Sequence, residues 1–292
     1  WEATKRRVDA AFFANATQSP LEGQHMVGGQ IALRAMGFER LPFTPQLAQA
    51  MADETGAAIE RVVFEERRSW RDLFRLDQTF VTDALAQHYG MASTGSAQPQ
   101  WVSYGQDPRR GILSHGTFLS IGSRFGDTSP TQRGIAIRER LFCMKIPPPP
   151  PLEVVDQPPD PSSGACKEER YAMHAQPPCA SCHALTDKVG FGLENYDDQG
   201  RYRAVEPNRP ECAIRGVGEI IGVGTFHGPG ELGQLLLQSA ELNRCAVSQL
   251  YAFLIGRQSF DENDLAVVDL VVARLGPEFR YDELLLAWST SP

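Results

Sequence analysis

Apolar residues recur at the three- and four-residue spacing of helices along most of the chain. Before residue 90, this spacing predicts helices at 2–14, 21–36 and 69–89. Another helix is predicted to begin after Thr44, because a threonine N-cap followed by proline at the first helical position, here Pro45, is a standard start signal. We expect the aromatic residues along these helices to pack in a core.

The middle of the chain alternates between loop and helix signals. Residues 91–110 lose the helical spacing and collect Ser, Thr, Gly, Gln and Pro, which predicts a surface loop. Helices are predicted at 110–121 and at 128–143, the second capped by Ser129. A run of prolines then opens the stretch 147–162, which cannot form a helix or a central strand. We expect this stretch to be an extended spacer.

Beyond the spacer the pattern is again mainly helical. It predicts a helix at 165–174, a small irregular hairpin within 202–226, and four helices that close the chain. The expected fold class is therefore all-α. A helical N-terminal module, 1–146, is joined by the proline-rich spacer 147–162 to a second helical module, 163–292.

Composition places the chain among ordinary globular proteins and narrows its partners. Hydrophobic residues make up 42% and charged residues 22% of the sequence, and the formal net charge is −8. The negative charge, without a cluster of Lys or Arg, argues against nucleic-acid binding. No apolar stretch approaches the length of a membrane span. Because the chain begins at Trp1 without a methionine or a signal peptide, we expect it to be a mature or truncated product.

One short motif carries the strongest chemical signal. Cys179 and Cys182, followed at once by His183, form the attachment sequence of c-type haem. On one helical turn the two thiols can add to the two vinyl groups of one porphyrin, and the histidine can bind the iron. A structural zinc site would need a second pair of ligands at suitable spacing, and a thioredoxin-type site would need a βαβ setting. We therefore predict one covalently bound haem c.

The other four cysteines bear on localisation. Haem c attachment takes place outside the bacterial cytoplasm, so we expect a periplasmic or otherwise extracytoplasmic protein. In such an oxidising compartment the single cysteines at 143, 166, 212 and 245 are predicted to form two disulfides. Three pairings can be drawn, and the sequence does not choose among them.

Several stretches of the sequence, taken together and in order, resemble one bacterial protein family. These stretches are 80–90, 110–119, 128–134, the proline run, 174–183, 189–203 and 251–257. They resemble exported c-type cytochromes of planctomycetes and myxobacteria that are built from consecutive domains of unknown function. The resemblance covers residues from about 44 to the end, and it departs from the family at 186–188, where Thr-Asp-Lys replaces Met-Asp-Pro.

The resemblance implies architecture and a haem, and no particular reaction. Members of this family usually carry further N-terminal domains, so the chain resembles the C-terminal, haem-binding half of a longer product. The second module is accordingly expected to be cytochrome c-like.

The second axial ligand of the iron is predicted by elimination. Small cytochromes usually take a methionine downstream of the haem helix, but none follows Met173. His174 ranks first because the short connection to Cys179, at about 3.3–3.6 Å per residue, can span from the haem edge to its far face. His88 ranks second and a five-coordinate iron third, whereas Met144 ranks lower because the proline spacer separates it from the motif. The alternative for His174 is a hydrogen bond to a haem propionate or to the backbone.

Further residues are expected around the haem. Phe191, Leu193 and Tyr196 are predicted to form an apolar wall, and Arg201 and Arg203 to bind the haem propionates, since a guanidinium matches a carboxylate. The alternative for both arginines is a solvated hairpin edge or a salt bridge to one of three nearby acidic residues, which are Glu194, Asp197 and Asp198.

Three function classes follow from these observations. The first is electron transfer by a six-coordinate monohaem cytochrome that meets redox partner proteins, as part of a larger redox assembly. The second is a haem enzyme of peroxidase or oxygenase type with an open iron site. The third is a docking subunit, with the helical first module as its binding surface. Electron transfer ranks first because the covalent haem is the strongest signal in the sequence.

Overall fold

The computed structural model describes four stretches of the chain, which are 44–124, 127–147, 164–256 and 259–290. The helices predicted at 2–14 and 21–36, and nearly all of the proline-rich spacer, lie outside these residues. The proposed division into two modules therefore stays a prediction.

The first described helix begins where the sequence predicts. Helix α1 spans Pro45–Ile59, and the Thr44 hydroxyl oxygen accepts a hydrogen bond from the Leu47 amide at 3.2 Å. The chain continues as one π-helical stretch, Glu60–Glu65, and then as a 3₁₀ helix, Trp70–Phe74.

The all-α prediction is wrong, because the predicted helix at 69–89 contains a strand. Strand β1, Gln78–Val81, pairs antiparallel with β2, Gln100–Ser103, and the latter lies in the predicted surface loop. Side chains alternate between half-buried and buried along β1, with Thr79 and Val81 inside, as expected for a sheet with one covered face. Thr82 then caps the short helix α2, Asp83–His88.

The remaining strands also form two-stranded antiparallel sheets, so the described chain is mixed α and β. Strands β3, Ser123–Arg124, and β4, Asp127–Thr128, pair ahead of the next long helix. In place of the one irregular hairpin predicted within 202–226 there are two hairpins. Their strands are β5, Val205–Glu206, β6, Arg209–Ala213, β7, Val217–Ile220, and β8, Gly224–His227.

The helix predicted at 110–121 is interrupted. A 3₁₀ turn, Ile112–Ser114, and a single helical turn, α3, Gly116–Leu119, are separated by His115 in an extended conformation. Gly111 precedes them at φ +65°, and a Cβ there would overlap the Phe74 carbonyl. Close packing at Gly111 therefore fixes the backbone just before the first turn, and the extended conformation of His115 separates the first turn from the second.

Two helices pack closely at the centre of the molecule. Helix α4, Pro130–Leu141, starts at Ser129 as predicted, and it crosses α6, Ala180–Phe191. Glycines stand at the crossing on both helices. A Cβ on Gly134 would overlap the Thr186 carbonyl, and one on Gly190 would overlap the Pro130 carbonyl. The absence of side chains at these two positions lets the backbones touch.

The helix predicted at 165–174 is shorter than expected. It is helix α5, Lys167–Tyr171, followed by a 3₁₀ turn, Ala172–Ala175. The four predicted closing helices are present. They are α7, Gly228–Leu237, α8, Ala240–Ile255, α9, Glu262–Leu275, and α10, Tyr281–Ser289.

Buried contacts and disulfides join residues from both sides of the proline-rich stretch. The largest apolar cluster includes Val62 and Ile137 from before it, and Val189 and Leu236 from after it. Two disulfides are present as predicted, and the structure selects the pairing, which is Cys143–Cys245 and Cys166–Cys212. The first disulfide holds the end of α4 against α8.

Candidate functional site

The predicted haem motif lies at the start of α6. Pro177 and Pro178 precede the helix, which begins only after them because proline cannot occupy a helix interior. Cys179 and Cys182 lie on the first turn, and both are partly exposed and carry free thiols. Since the other four cysteines are paired, these two are the reactive pair among the cysteines of the chain.

His183 is oriented by an acidic residue one turn further along α6. Its Nδ1 lies 3.0 Å and 3.1 Å from the two carboxylate oxygens of Asp187. A metal-binding histidine usually donates its second ring N–H to such a carboxylate, which fixes the ring and its tautomer. Nε2 of His183 is then the nitrogen that can bind a metal. The side chain is about one-quarter exposed, at 26%, so a ligand can reach it.

His174 shares the same carboxylate. Its Nδ1 lies 2.7 Å from Asp187 Oδ2, and its ring contacts the ring of His183 with centroids 3.8 Å apart and planes tilted by 40°. Two imidazoles that bind one metal ion from opposite sides face each other through their ligating nitrogens, which lie about 4 Å apart because each metal–nitrogen bond is about 2 Å, and the rings extend away from the metal. The adjacent rings do not have this arrangement. Distal ligation by His174 therefore stays a prediction that requires its ring to move.

Asp187 is the buried centre of this group. It also accepts hydrogen bonds from Thr131, at 2.7 Å, and from Thr186, at 3.2 Å. Burial raises the pKa of the Asp187 carboxyl, but hydrogen bonds from His174, His183 and Thr131 outweigh burial and lower this pKa to about 2. Asp187 is therefore ionised at neutral pH. Ligand atoms of His174, His183 and Asp187 all lie within 4.8 Å of one another, a donor set that suits a metal ion.

His88, the second-ranked distal ligand, lies in a different environment. Its Nε2 is 2.9 Å from the Gln199 carbonyl oxygen. Burial lowers the pKa of His88, and the hydrogen bond to Gln199 opposes this effect only in part. His88 would have to break this hydrogen bond before its Nε2 could bind a metal.

Met144 lies nearer to the haem motif than the sequence indicates. Its sulfur is 4.0 Å from Arg138 Nη1, and Arg138 in turn donates from Nε to the Leu185 carbonyl of α6 at 3.0 Å. The proline spacer therefore does not separate Met144 from the haem helix in space, because α4 packs directly on α6.

The predicted apolar wall divides between the site and the core. The Phe191 ring contacts the Tyr171 ring edge-on at 5.5 Å, and Tyr171 contacts His174 at 5.0 Å, so aromatic rings run from Phe191 to the site. Leu193 and Tyr196 are each 1% exposed and belong to the largest apolar cluster. Their role as haem contacts stays a prediction.

The two predicted propionate-binding arginines already contact acidic residues. Arg201 pairs with Asp197 at 2.8 Å and is half exposed. Arg203 donates to Thr128 at 2.7 Å and to Glu194 at 3.1 Å. These contacts correspond to the salt-bridge alternative, and propionate binding by either arginine stays a prediction.

A buried ionic cluster lies just beyond α6, and the sequence indicated only its Arg203–Glu194 pair, as an alternative. Glu194, 2% exposed, contacts Arg133 at 3.0 Å, Lys167 at 2.9 Å and Arg203 at 3.1 Å. Burial raises the pKa of Glu194, but the charges of Lys167, Arg133 and Arg203 outweigh it and hold the pKa below its usual value. No signal in the sequence showed that Arg133 and Lys167, which are distant along the chain, also contact Glu194.

The site residues fit a covalently attached haem. Two free thiols lie on one partly exposed helical turn, and the adjacent imidazole is held by a carboxylate with its second nitrogen available.

Among the described residues, no helix is both long enough and apolar enough to cross a bilayer.

Comparison with known families adds two matches. Residues 109–206 match the family PSCyt3, described as a protein of unknown function (DUF1588), and residues 26–91 match PSD4, described as a protein of unknown function (DUF1592). The first match contains α4 and the whole motif at 179–183. The chain thus carries two consecutive domains of unknown function, as the resemblance implied. No curated protein and no solved structure matches the chain.

Proposed function

We propose that this chain, with its two consecutive domains of unknown function, is an extracytoplasmic monohaem c-type cytochrome that transfers electrons. One observation carries the proposal. Of the six cysteines, four form disulfides, and the remaining pair lies on the same helical turn beside a carboxylate-oriented histidine. Redox partner proteins and membership of a larger redox assembly follow from this function as further parts of the proposal.

Each residue of the motif has a defined task. Cys179 and Cys182 would hold the porphyrin through thioether bonds formed from its two vinyl groups, and His183 Nε2 would bind the iron. When bound, the haem supplies a one-electron iron couple, whose potential the protein sets through the axial ligands and their surroundings. Asp187 would accept the proton on His183 Nδ1 and so orient the ring with Nε2 toward the iron.

The proposal is tested by haem staining after denaturing electrophoresis of the exported protein. Wild type should retain haem on the polypeptide, and Cys179→Ala with Cys182→Ala should lose it completely. Cys166→Ala with Cys212→Ala also removes two cysteines and serves as the control, which should keep covalent haem if it folds. Staining that persists in the first double variant, or is missing from wild type, would contradict the proposal.

A second candidate function is a haem enzyme with an open iron site. The contact between the rings of His174 and His183 favours it, because this arrangement leaves the position opposite His183 free of His174. His174 and Asp187 would then be a pair able to exchange a proton beside the iron. Electron transfer instead requires that His174, or next His88, becomes the sixth ligand.

Carbon monoxide distinguishes the two functions, since it binds ferrous haem only at a vacant position. A six-coordinate cytochrome should bind it slowly in wild type and rapidly in His174→Ala, whereas His88→Ala should resemble wild type. Rapid binding by wild type would favour the enzyme. A vacant position created by His88→Ala alone would identify His88 as the ligand.

A further inference from the structure

Arg138 is a buried cation with no acidic partner in the described part of the chain. Four arginines in the described part of the chain are buried, and they are Arg71, Arg109, Arg133 and Arg138. Each of the first three has a carboxylate oxygen within 4.0 Å, at 3.2, 3.7 and 3.0 Å respectively. Arg138 has no such neighbour among the described residues, although only 3% of it is exposed. Buried charges are normally paired, because an uncompensated charge is costly to remove from water.

The contacts that Arg138 does make are with neutral groups. Nε donates to the Leu185 carbonyl at 3.0 Å, and Nη1 lies 4.0 Å from the sulfur of Met144, which is a weak acceptor. Nη2 is buried and has no hydrogen-bond partner among the described residues. Burial lowers the pKa of the guanidinium, but arginine stays protonated in proteins. The guanidinium thus keeps both its charge and an unused donor.

The packing of α4 on α6 places Arg138 beside the haem motif. The two helices contact each other at three pairs of residues, Pro130 with Gly190, Gly134 with Thr186, and Arg138 with Leu185. The residue number rises along α4 and falls along α6, so the helices run in opposite directions. The C-terminal end of α4 therefore lies along the half of α6 that carries Cys182 and His183. Leu185 is only two residues beyond His183, or about 3 Å along the helix axis.

We propose that Arg138 binds a propionate carboxylate of the attached haem. A propionate is a carboxylate that arrives with the cofactor and can accept two parallel hydrogen bonds from a guanidinium. It would supply the negative charge and the acceptor that Arg138 otherwise lacks. This inference rests on the proposed haem attachment, and it assigns to Arg138 the task that the sequence assigned to Arg201 and Arg203.

The experiment is a redox titration of the purified, haem-loaded protein, repeated at several pH values from roughly 5 to 8. This range lies above the usual carboxyl pKa of about 4. Wild type should have a midpoint potential that is independent of pH in this range, because the arginine keeps the propionate ionised. Arg138→Gln leaves an unpaired propionate, which favours the ferric iron. We expect a lower potential at high pH that rises as the propionate takes up a proton at low pH.

Arg140→Gln is the matched control, because Arg140 lies on the same helix but is exposed. This variant should keep the wild-type potential and its pH independence. Loss of packing alone could shift the potential of Arg138→Gln, but it would not introduce a dependence on pH. An Arg138→Gln protein with covalent haem and the wild-type titration would overturn the assignment of Arg138 and leave the haem proposal intact. Wild type without covalent haem would overturn both.

A second substitution and a measurement on wild type guard against a variant that does not fold. Arg138→Met replaces the guanidinium with an unbranched apolar chain and should show the same pH dependence as Arg138→Gln. If neither variant folds, redox-difference infrared spectra of wild type with carboxyl-labelled haem propionates decide. Signals from ionised propionates only, at the low end of the pH range, support the pair. The assignment of Arg138 would be overturned if one propionate were exposed to solvent and the other gave a label-sensitive signal of a protonated carboxyl without a partner.

Discussion

Arg133 and Arg138 lie on the same helix, expose 2% and 3% of their surface, and have opposite surroundings. Arg133 contacts Glu194 at 3.0 Å and donates to four backbone carbonyls, those of Leu119, Leu193, Tyr196 and Asp197. Arg138 contacts one carbonyl, a methionine sulfur and the Phe142 ring, whose centroid lies 5.8 Å from the guanidinium carbon. The protein itself completes the first environment, and it leaves the second without a counter-charge.

The comparison separates a buried charge that is paired within the protein from one that, in our proposal, is paired by a cofactor. The Arg133 end of α4 joins the helix to the turn after α6, to α5 and to the hairpin region through Glu194. The Arg138 end borders the half of α6 with the free cysteines. One helix therefore stabilises the fold at its start and contributes to the candidate site at its end.

The largest expected effect comes from removing the counter-charge of Arg133. Glu194→Gln leaves Arg133 buried without its carboxylate and leaves Lys167 with only the partly exposed Asp127 as an acidic partner, so we expect the free energy of unfolding to fall by about 3–5 kcal/mol. Denaturant unfolding measures this change. Glu219→Gln is the control, because Glu219 pairs with Lys188 on the exposed surface, and such pairs contribute about 1 kcal/mol or less. Equal effects from the two variants would show that the buried cluster does not stabilise the fold.

Acid should remove the same interaction by protonation. The pKa of Glu194 is lower in the folded protein than in the unfolded chain, so this stabilisation is complete above the unfolded pKa of about 4.3. It should be lost as the pH falls below that value and through the folded pKa. Unfolding measured between pH 6 and pH 2 should show a shallower loss of stability in Glu194→Gln than in wild type. Parallel curves would contradict the lowered pKa.

A smaller effect is expected at the glycine between the two arginines. The Cβ of Gly134→Ala would overlap the Thr186 carbonyl and force α4 away from α6, which should cost about 1–3 kcal/mol. Gly56→Ala on α1 is the control, since a Cβ there meets nothing within 4 Å, and it should raise stability by about 0.5–1 kcal/mol. The change in stability of each variant is measured by thermal unfolding. A neutral Gly134→Ala would mean that the helices need not touch at this point.

Local chemistry was the reliable part of the sequence analysis. Thr44 with Pro45, and Ser129 with Pro130, predicted two helix starts because caps depend only on adjacent residues. The strand β1 was missed, since its apolar residues also fit a helical stripe and its pairing depends on β2, which lies across α2 and a loop.

At the candidate site, too, the sequence predicted features that depend on adjacent residues and missed contacts that depend on packing. The motif residues were identified directly from the sequence, but the contact between His174 and Asp187 was not. The length of the connection to Cys179 limits how far His174 can lie from the motif, but it does not determine which residue its side chain contacts. Met144 was ranked low as an iron ligand because the proline spacer separates it from the motif in sequence. Its position in space depends instead on the packing of α4 and on the adjacent Cys143–Cys245 disulfide. Arg138 carries no sequence signal, since its lack of an acidic partner is a property of the fold.

The intact mass of the exported protein, measured after denaturation and thiol alkylation without a reductant, tests the central claim most directly. We expect a mass increased by one haem and no alkylated cysteine, because haem attachment would place Cys179 and Cys182 in thioether bonds and the other four cysteines are in disulfides. A chain without the haem mass and with two alkylated cysteines, located at 179 and 182, would contradict it.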